Sequence, residues 1–269
     1  MTRRQKEFFD EMALRYQRQA ILVPGASRFR NTLLDKAMKR ALTPILKGFS
    51  NMLILDVGCG VGRWTEKMST KNTVIGMDIS KFMVSMAKNT CKNRKCDFLV
   101  ADASYIPFRE GVFDLVISVT VLQHILDEQK FRRALSEMAR CTNLKALIVE
   151  EMWSDKVTLI EKAYCPIRIV PVESYEKSLS AAGLHIRWVG GVTLAPLAVV
   201  IARTLGSKPR LMECVSTTNL KSSKTISGLV HFVMGIGILT AVFIPNGFYG
   251  SRVSLHTMIC GERSHHDDS

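Results

Sequence analysis

A doubly wound α/β sheet is the fold class this sequence predicts, on three observations. Short runs that are apolar on both faces recur: "MLILDV" ending at Val57, "TVIGMD" (73–78), "DFLVA" (97–101), "FDLVISV" (113–119) and "KALIVEE" (145–151). Runs of this kind suit central parallel strands covered on both sides. Helical stretches over 62–70, 80–90 and 128–140 separate them, so strand and helix alternate as in a doubly wound sheet. The first run also passes straight into "GCGVG", Gly58 to Gly62, and then into a helix. A strand, a glycine turn and a helix together make a ligand-binding edge.

The remaining elements follow in order. Residues 3–20 form an amphipathic helix whose apolar side is Phe8, Met12 and Leu14 to Tyr16, broken by Pro24 and Gly25. Residues 28–47 form a second helix that Pro44 should kink or end. After the fifth run, 172–183 reads as a helix closed by Gly183, and 184–191 as a sixth strand. A mostly helical region follows, and "RVSLHTMICGE" (252–262) alternates well enough for a last strand. No Gly-, Ser- and Pro-rich linker divides the chain. It reads as one domain over 1–269: a helical cap (1–48), a ligand-binding core (49–191), a helical insertion (192–251) and the last strand.

Composition sets limits. With 47% hydrophobic and 23% charged residues the 269-residue chain is ordinary for a globular protein. Its net charge of +13 fits an anionic substrate, an anionic membrane surface or nucleic acid. The charge is scattered, with the densest runs at "MTRRQK", "KNTCKNRK" and "KSSK". Seven cysteines, an odd count without a CxxC pair, argue against a zinc site or a disulfide framework, and no metal site is expected. The charged amino terminus is unlike a signal peptide, so a cytoplasmic setting with reduced thiols is expected.

The glycine turn narrows the ligand. A dinucleotide fingerprint needs G-x-G-x-x-G, whereas Gly58, Gly60 and Gly62 give G-x-G-x-G and Arg63 stands where the third glycine belongs. Asp56, two residues ahead, is poor company for a pyrophosphate and good company for an ammonium group. Asp78 closes the second strand, the position from which a carboxylate binds ribose hydroxyls. Asp102 follows the third strand, within reach of an adenine amino group. An amino-acid end, a ribose and an adenine without phosphate describe S-adenosylmethionine.

"LDVGCGVGRW", "VIGMDISKFMVSMAK", "ADASYIPFREGVFDLVIS" and "VLQHI" together resemble the successive motifs of the class I S-adenosylmethionine-dependent methyltransferases. The flavour is that of the small-molecule ubiquinone/menaquinone-biosynthesis-type group, over roughly residues 8 to 190. The resemblance implies a Rossmann-like, seven-stranded, mostly parallel sheet with an antiparallel last strand. It also implies that Gly58, Cys59, Gly60 and Gly62 lie against the methionine and ribose part of S-adenosylmethionine. Asp56 would meet the amino group and Asp78 the ribose. Ile79 and Met83 would border the adenine, with Asp102 and Ala103 reading its edge. Val119 would line the methionine side, and Tyr16 is a lid candidate.

Methyl transfer from a sulfonium needs mainly distance, alignment and desolvation. A general base is needed only where the acceptor must lose a proton. His124, just past the fourth strand, is the best titratable candidate, as a base or as a positioning group. Glu150 and Glu151 end the fifth strand and point to opposite faces. Glu151 with Trp153 could hold a substrate, or both acids could be surface groups. Cys59 reads as a small packing residue.

Residues 225–251 carry no charge, with Lys221 and Lys224 before them and Arg252 after. The stretch suits a helix walling the acceptor pocket, a peripheral membrane contact, or a span. A span would separate the last strand from its sheet. The expected activity is methyl transfer to a small, lipophilic or mostly apolar acceptor. The other classes are an RNA or protein methyltransferase and a non-catalytic subunit of the same fold. No "NPPY"-like motif follows the fourth strand, which argues against base-amino methylation, and DNA is not an expected partner.

Overall fold

The computed structural model describes residues 3–16, 28–91, 95–152, 156–160, 165–194 and 254–263. The chain opens with helices α1 (Arg3–Tyr16) and α2 (Arg28–Lys47). Then come β1 (Leu53–Val57), α3 (Arg63–Met68), β2 (Thr73–Asp78), α4 (Lys81–Thr90), β3 (Cys96–Val100) and β4 (Phe113–Val119). A short 3-10 helix (Leu122–His124) leads to α5 (Glu128–Cys141) and β5 (Thr142–Glu151). The hairpin strands β6 (Thr158–Ile160) and β7 (Ile167–Ile169), α6 (Val172–Ala181), β8 (Leu184–Leu194) and β9 (Ser254–Arg263) complete the described elements.

Seven strands form one sheet in the order β3-β2-β1-β4-β5-β9-β8. β1 pairs parallel with β2 and β4, β2 with β3, and β4 with β5, while β9 runs antiparallel between β5 and β8. This is the sheet the sequence predicts, and β9 occupies an interior position. Order reverses between β1 and β4, and in an open α/β sheet the crevice beyond the strand ends at such a switch point is where ligands bind.

Each face has its own apolar layer. Met38, Ala41, Leu42 and Leu46 of α2, with Trp64 and Met68 of α3, cover Ile54, Val74, Leu115, Ile117, Leu147 and Val149. On the other face Phe131, Ala134, Leu135 and Met138 of α5, with Tyr175 and Leu179 of α6, cover Leu55, Val57, Val116 and Ile148. The alternation of Ile54 and Leu55 between the two layers is the period of a strand buried on both sides.

Two details depart from the sequence expectations, and one alternative falls away. α2 spans Arg28–Lys47, the range read from the sequence, so Pro44 does not end it. Pro44 is exposed and in the last turn, so its missing N–H removes one terminal bond only. β5 starts at Thr142, directly off α5, because Thr142 pairs with Phe113. The β6–β7 hairpin has no counterpart in the sequence reading, because its strands are three residues each, too short for a periodic signal. The helical insertion of 192–251 falls, from residue 195 on, outside the described residues, as does the uncharged segment 225–251. Among the described residues no helix is long and apolar enough to cross a membrane.

Candidate active site

The site is built on the carboxyl ends of β1, β2 and β4. β1 ends at Val57, and the chain turns at once: Gly58, Gly60 and Gly62 have φ of 71°, 54° and 81°. The turn is tied to β2 by main-chain bonds, Gly58 and Cys59 N–H both donating to Met77 O at 2.7 and 2.9 Å. A Cβ on Gly58 would lie 2.3 to 2.9 Å from side-chain atoms of Val121, so only glycine fits there. A Cβ on Gly60 would meet nothing within 4 Å, which marks open space in front of the turn. Gly62 packs on Ala87 of α4, where its Cβ would come to 3.2 Å of that side chain. Close helix packing thus falls to Gly62 rather than to the position of Arg63.

Asp56 is buried and accepts a 2.5 Å bond from Thr65 Oγ1 of α3. Burial, then the charge of Asp78, push its carboxyl up to about 6 against the bonds from Thr65. Asp78 accepts from Gly60 N (3.0 Å) and Ser80 N (2.9 Å) and so holds the middle of the turn. Burial raises its pKa, the bonds from Ser80 and Gly60 oppose the rise, and Asp10 adds to it. Asp10, on α1, accepts from Ser80 Oγ, which also caps α4 by accepting from Met83 N. Among the described residues neither Asp56 nor Asp78 has an ion-pair partner. A buried carboxyl, Asp56, and a half-buried one, Asp78, without a counter-cation favour a cationic ligand.

The other candidates are arranged around this turn. Asp102 accepts from Ser104 N and Oγ (2.9 and 2.7 Å). Burial would raise its pKa, but the Ser104 bonds outweigh it and the group titrates below the usual range. Ile79 and Ala103 are half-buried, and Val119 ends β4 against the α2 layer. Met83 is buried with Met12, Ala13 and Val61, so α1 lies over it. Tyr16 ends α1, and its side chain lies outside the described residues. Cys59 is buried, and burial followed by the charges of Asp56 and Asp78 pushes its thiol well up, which leaves it a neutral packing group.

His124 is half-buried on the 3-10 turn. Its ring stands edge-on to Phe9 of α1 (centroids 5.0 Å apart, 77°), its Nδ1 is 3.8 Å from Cys165 Sγ, and its Nε2 is 3.4 Å from Gln123 Nε2. Gln5 Nε2 donates to His124 O at 2.9 Å, a second tie from α1. Glu150 and Glu151 are both buried, 0% and 7% exposed, so the surface alternative for them fails. Trp153 lies outside the described residues. The two α1 residues, Gln5 and Asp10, are the site groups that sequence reasoning missed. It named Glu150 as a strand-end acid but not its role, because its partners are distant in sequence.

Two of these carboxyls imply a pH dependence with a definite sign. Asp56 rises from 3.8 to about 6 and Glu150 from 4.5 to about 7, both chiefly by burial. Between each unfolded value and its folded value the folded state holds the extra proton. Their contribution to stability is therefore complete below about pH 4 and lost as pH rises through 6 and 7. Urea midpoints of the ligand-free protein are expected to include this decline between about pH 4 and 7, and Asp56→Asn should flatten its lower part. An equal slope in the variant would contradict the assignment to Asp56.

A family model described as a methyltransferase domain matches residues 54–144. Ajmaline N-methyltransferase of Rauvolfia serpentina is 34% identical over 223 residues, covering 78% of this chain and 73% of that protein. A Homo sapiens protein named "Probable tRNA methyltransferase 9B" is 36% identical over 108 residues. That match covers 40% of this chain, and this chain spans only 23% of the relative's length. Magnesium protoporphyrin IX methyltransferase of Synechocystis PCC 6803, solved with bound S-adenosylmethionine, shares the fold at a TM-score of 0.60 and 15% identity, covering 98% of both chains. The glycine turn between three strand-end acids, and a methyltransferase relative alike over most of both chains, place this chain in the class I S-adenosylmethionine-dependent methyltransferase family.

Proposed function

We propose that this chain transfers the methyl group of S-adenosylmethionine to a small, mostly apolar acceptor, as in the quinone-biosynthesis-type members its motifs resemble. The observation that carries the cofactor part is the pair of carboxylates, buried Asp56 and half-buried Asp78, without an ion-pair partner among the described residues, beside a glycine turn with open space at Gly60. In this reading Asp56 meets the amino group, and Asp78 takes the ribose hydroxyls while bracing Gly60. Asp102 and Ala103 read the adenine edge, Ile79 and Met83 border it, and Val119 lines the methionine side. Tyr16 belongs to the lid. Cys59, held as a thiol, fills space beneath the turn.

Bound S-adenosylmethionine supplies a sulfonium methyl for in-line displacement. The chain's own part is distance, alignment and exclusion of water. Phe9, His124 and Gln5 bring α1 over the turn after β4, so an acceptor there would meet aromatic faces and one imidazole. Buried Glu151 is an acceptor-side candidate. The small acceptor is supported by the ajmaline N-methyltransferase relative, which is alike over most of both chains.

Methyl-labelled S-adenosylmethionine incubated with the protein and cell extract tests this. Label is expected in lipid or other small-molecule fractions. Label in RNA or protein would refute the small acceptor and give the net charge of +13 its use. Retained cofactor binding without any label would leave either an acceptor missing from the extract or a non-catalytic member. With an acceptor in hand, His124→Ala is expected to lower kcat by about 10- to 100-fold and leave cofactor affinity within about twofold. An unaltered rate would limit His124 to a structural role.

A further inference from the structure

Glu150 is completely buried, and its carboxylate accepts three successive main-chain N–H groups. Oε1 takes Val121 N and Leu122 N, both at 2.8 Å, and Oε2 takes Gln123 N at 3.3 Å. A fully buried carboxylate is costly, and burial holds this one at about 7 despite all three bonds. The corner that leads into the gripped segment is strained. Thr120, immediately before, has φ of 58°, a region a β-branched residue seldom occupies. Its N–H donates to Val149 O at 2.7 Å, which fixes the corner on β5, one residue before Glu150. Without an acceptor, the three N–H groups that follow would be left unsatisfied, two of them, of Leu122 and Gln123, in buried residues.

The gripped turn reaches the glycine turn through one side chain. Val121 sits over Gly58 so closely that a Cβ there would come within 2.3 Å of Val121 Cγ2 and 2.5 Å of Cγ1. Gly58 is the first residue of the turn whose third residue, Gly60, is held by Asp78. The glycine turn is thus fixed at one end by Asp78 and pressed at the other by Val121, and Val121 is set by Glu150.

We propose that Glu150 is a positioning residue for cofactor binding: by clasping the N–H groups of Val121, Leu122 and Gln123 it seats Val121 on Gly58 and holds the glycine turn in its ligand-ready shape. The proposal rests on the cofactor reading above. It assigns Glu150 no contact with cofactor or acceptor and no part in proton transfer.

A double-mutant cycle tests it, read by S-adenosylmethionine affinity in calorimetry and by hydrogen exchange at the three amides. Glu150→Ala is expected to weaken binding by about tenfold and to speed exchange at 121–123. Glu150→Gln keeps a carbonyl acceptor for Val121 and Leu122 and should recover most of both losses. Val121→Ala should weaken binding as well, and adding Glu150→Ala to it should cost less than about threefold more, because the two act through one contact. Should the alanine variant fail to fold, Glu150→Asp replaces it, since the shorter carboxylate cannot span all three N–H groups. Additive effects in the cycle, or unchanged affinity in Glu150→Ala, would overturn the proposal while leaving the cofactor reading intact. A wild-type protein that binds no S-adenosylmethionine would overturn the cofactor reading itself.

Discussion

Asp78→Ala is expected to weaken S-adenosylmethionine binding by on the order of 100-fold while the protein stays folded. Two losses add. The carboxylate that would take the ribose hydroxyls goes, and charge-assisted bonds to a ligand are worth about 1.5 to 3 kcal/mol. The bond that fixes Gly60 N also goes, at 3.0 Å in the intact site, so the turn must be ordered at the expense of binding. Stability should change much less, because the burial that raises the Asp78 pKa, and its repulsion of Asp56 and Asp10, disappear together with its two bonds. Calorimetric titration and a thermal melt on one preparation separate the effects. Unchanged affinity in a folded variant would remove Asp78 from the cofactor site.

Gly58→Ala should be the most damaging single methyl that can be added to the glycine turn. Its φ of 71° lies in the left-handed region, which costs an L-residue about 1–2 kcal/mol. The new Cβ would also lie 2.3 to 2.9 Å from three atoms of Val121, and overpacking of this kind costs about 1–3 kcal/mol. A loss of about 2–5 kcal/mol in unfolding free energy is expected from the sum of these, and cofactor binding should go with it. Gly60→Ala is the matched control. It also has positive φ, 54°, but its Cβ would meet nothing within 4 Å, so its stability cost is the backbone term alone. Urea unfolding of both variants, with Val121→Ala as a partial rescue of Gly58→Ala only, checks the contrast. Equal costs at the two glycines would show that Val121 does not press on the turn.

Much of the sheet was legible because its signals are local. "LILDV" and "TVIGMD" are apolar on both faces, carry an acid at or next to their ends, and lead to helices, so the alternating fold class and the binding edge follow from topology rules. The side chains that organise the site were harder to read, because their partners are far apart in sequence. Asp56, Asp78 and Asp102 could be named from their places at or just after strand ends. That Asp78 grips Gly60, or that Asp56 leans on Thr65, depends on how β2 and α3 sit beside β1. Glu150 illustrates the limit. Next to Glu151 it reads as half of an exposed pair, whereas its three N–H partners lie on the turn after β4, brought close only by β4–β5 pairing. Gln5 and Asp10 were hidden for the same reason, as polar positions on a helix read for its apolar side. Pro44 misled in the opposite direction, as a local rule that an exposed last turn could absorb.

The central claim is that this turn and its acids hold a cationic adenosyl ligand rather than a dinucleotide. Calorimetric titration of the wild-type protein with S-adenosylmethionine and, separately, with NAD tests it most directly. The account predicts one S-adenosylmethionine per chain, in the micromolar range or tighter, with affinity that rises as Asp56 deprotonates around pH 6, and no binding of NAD. Binding of NAD with none of S-adenosylmethionine would contradict it.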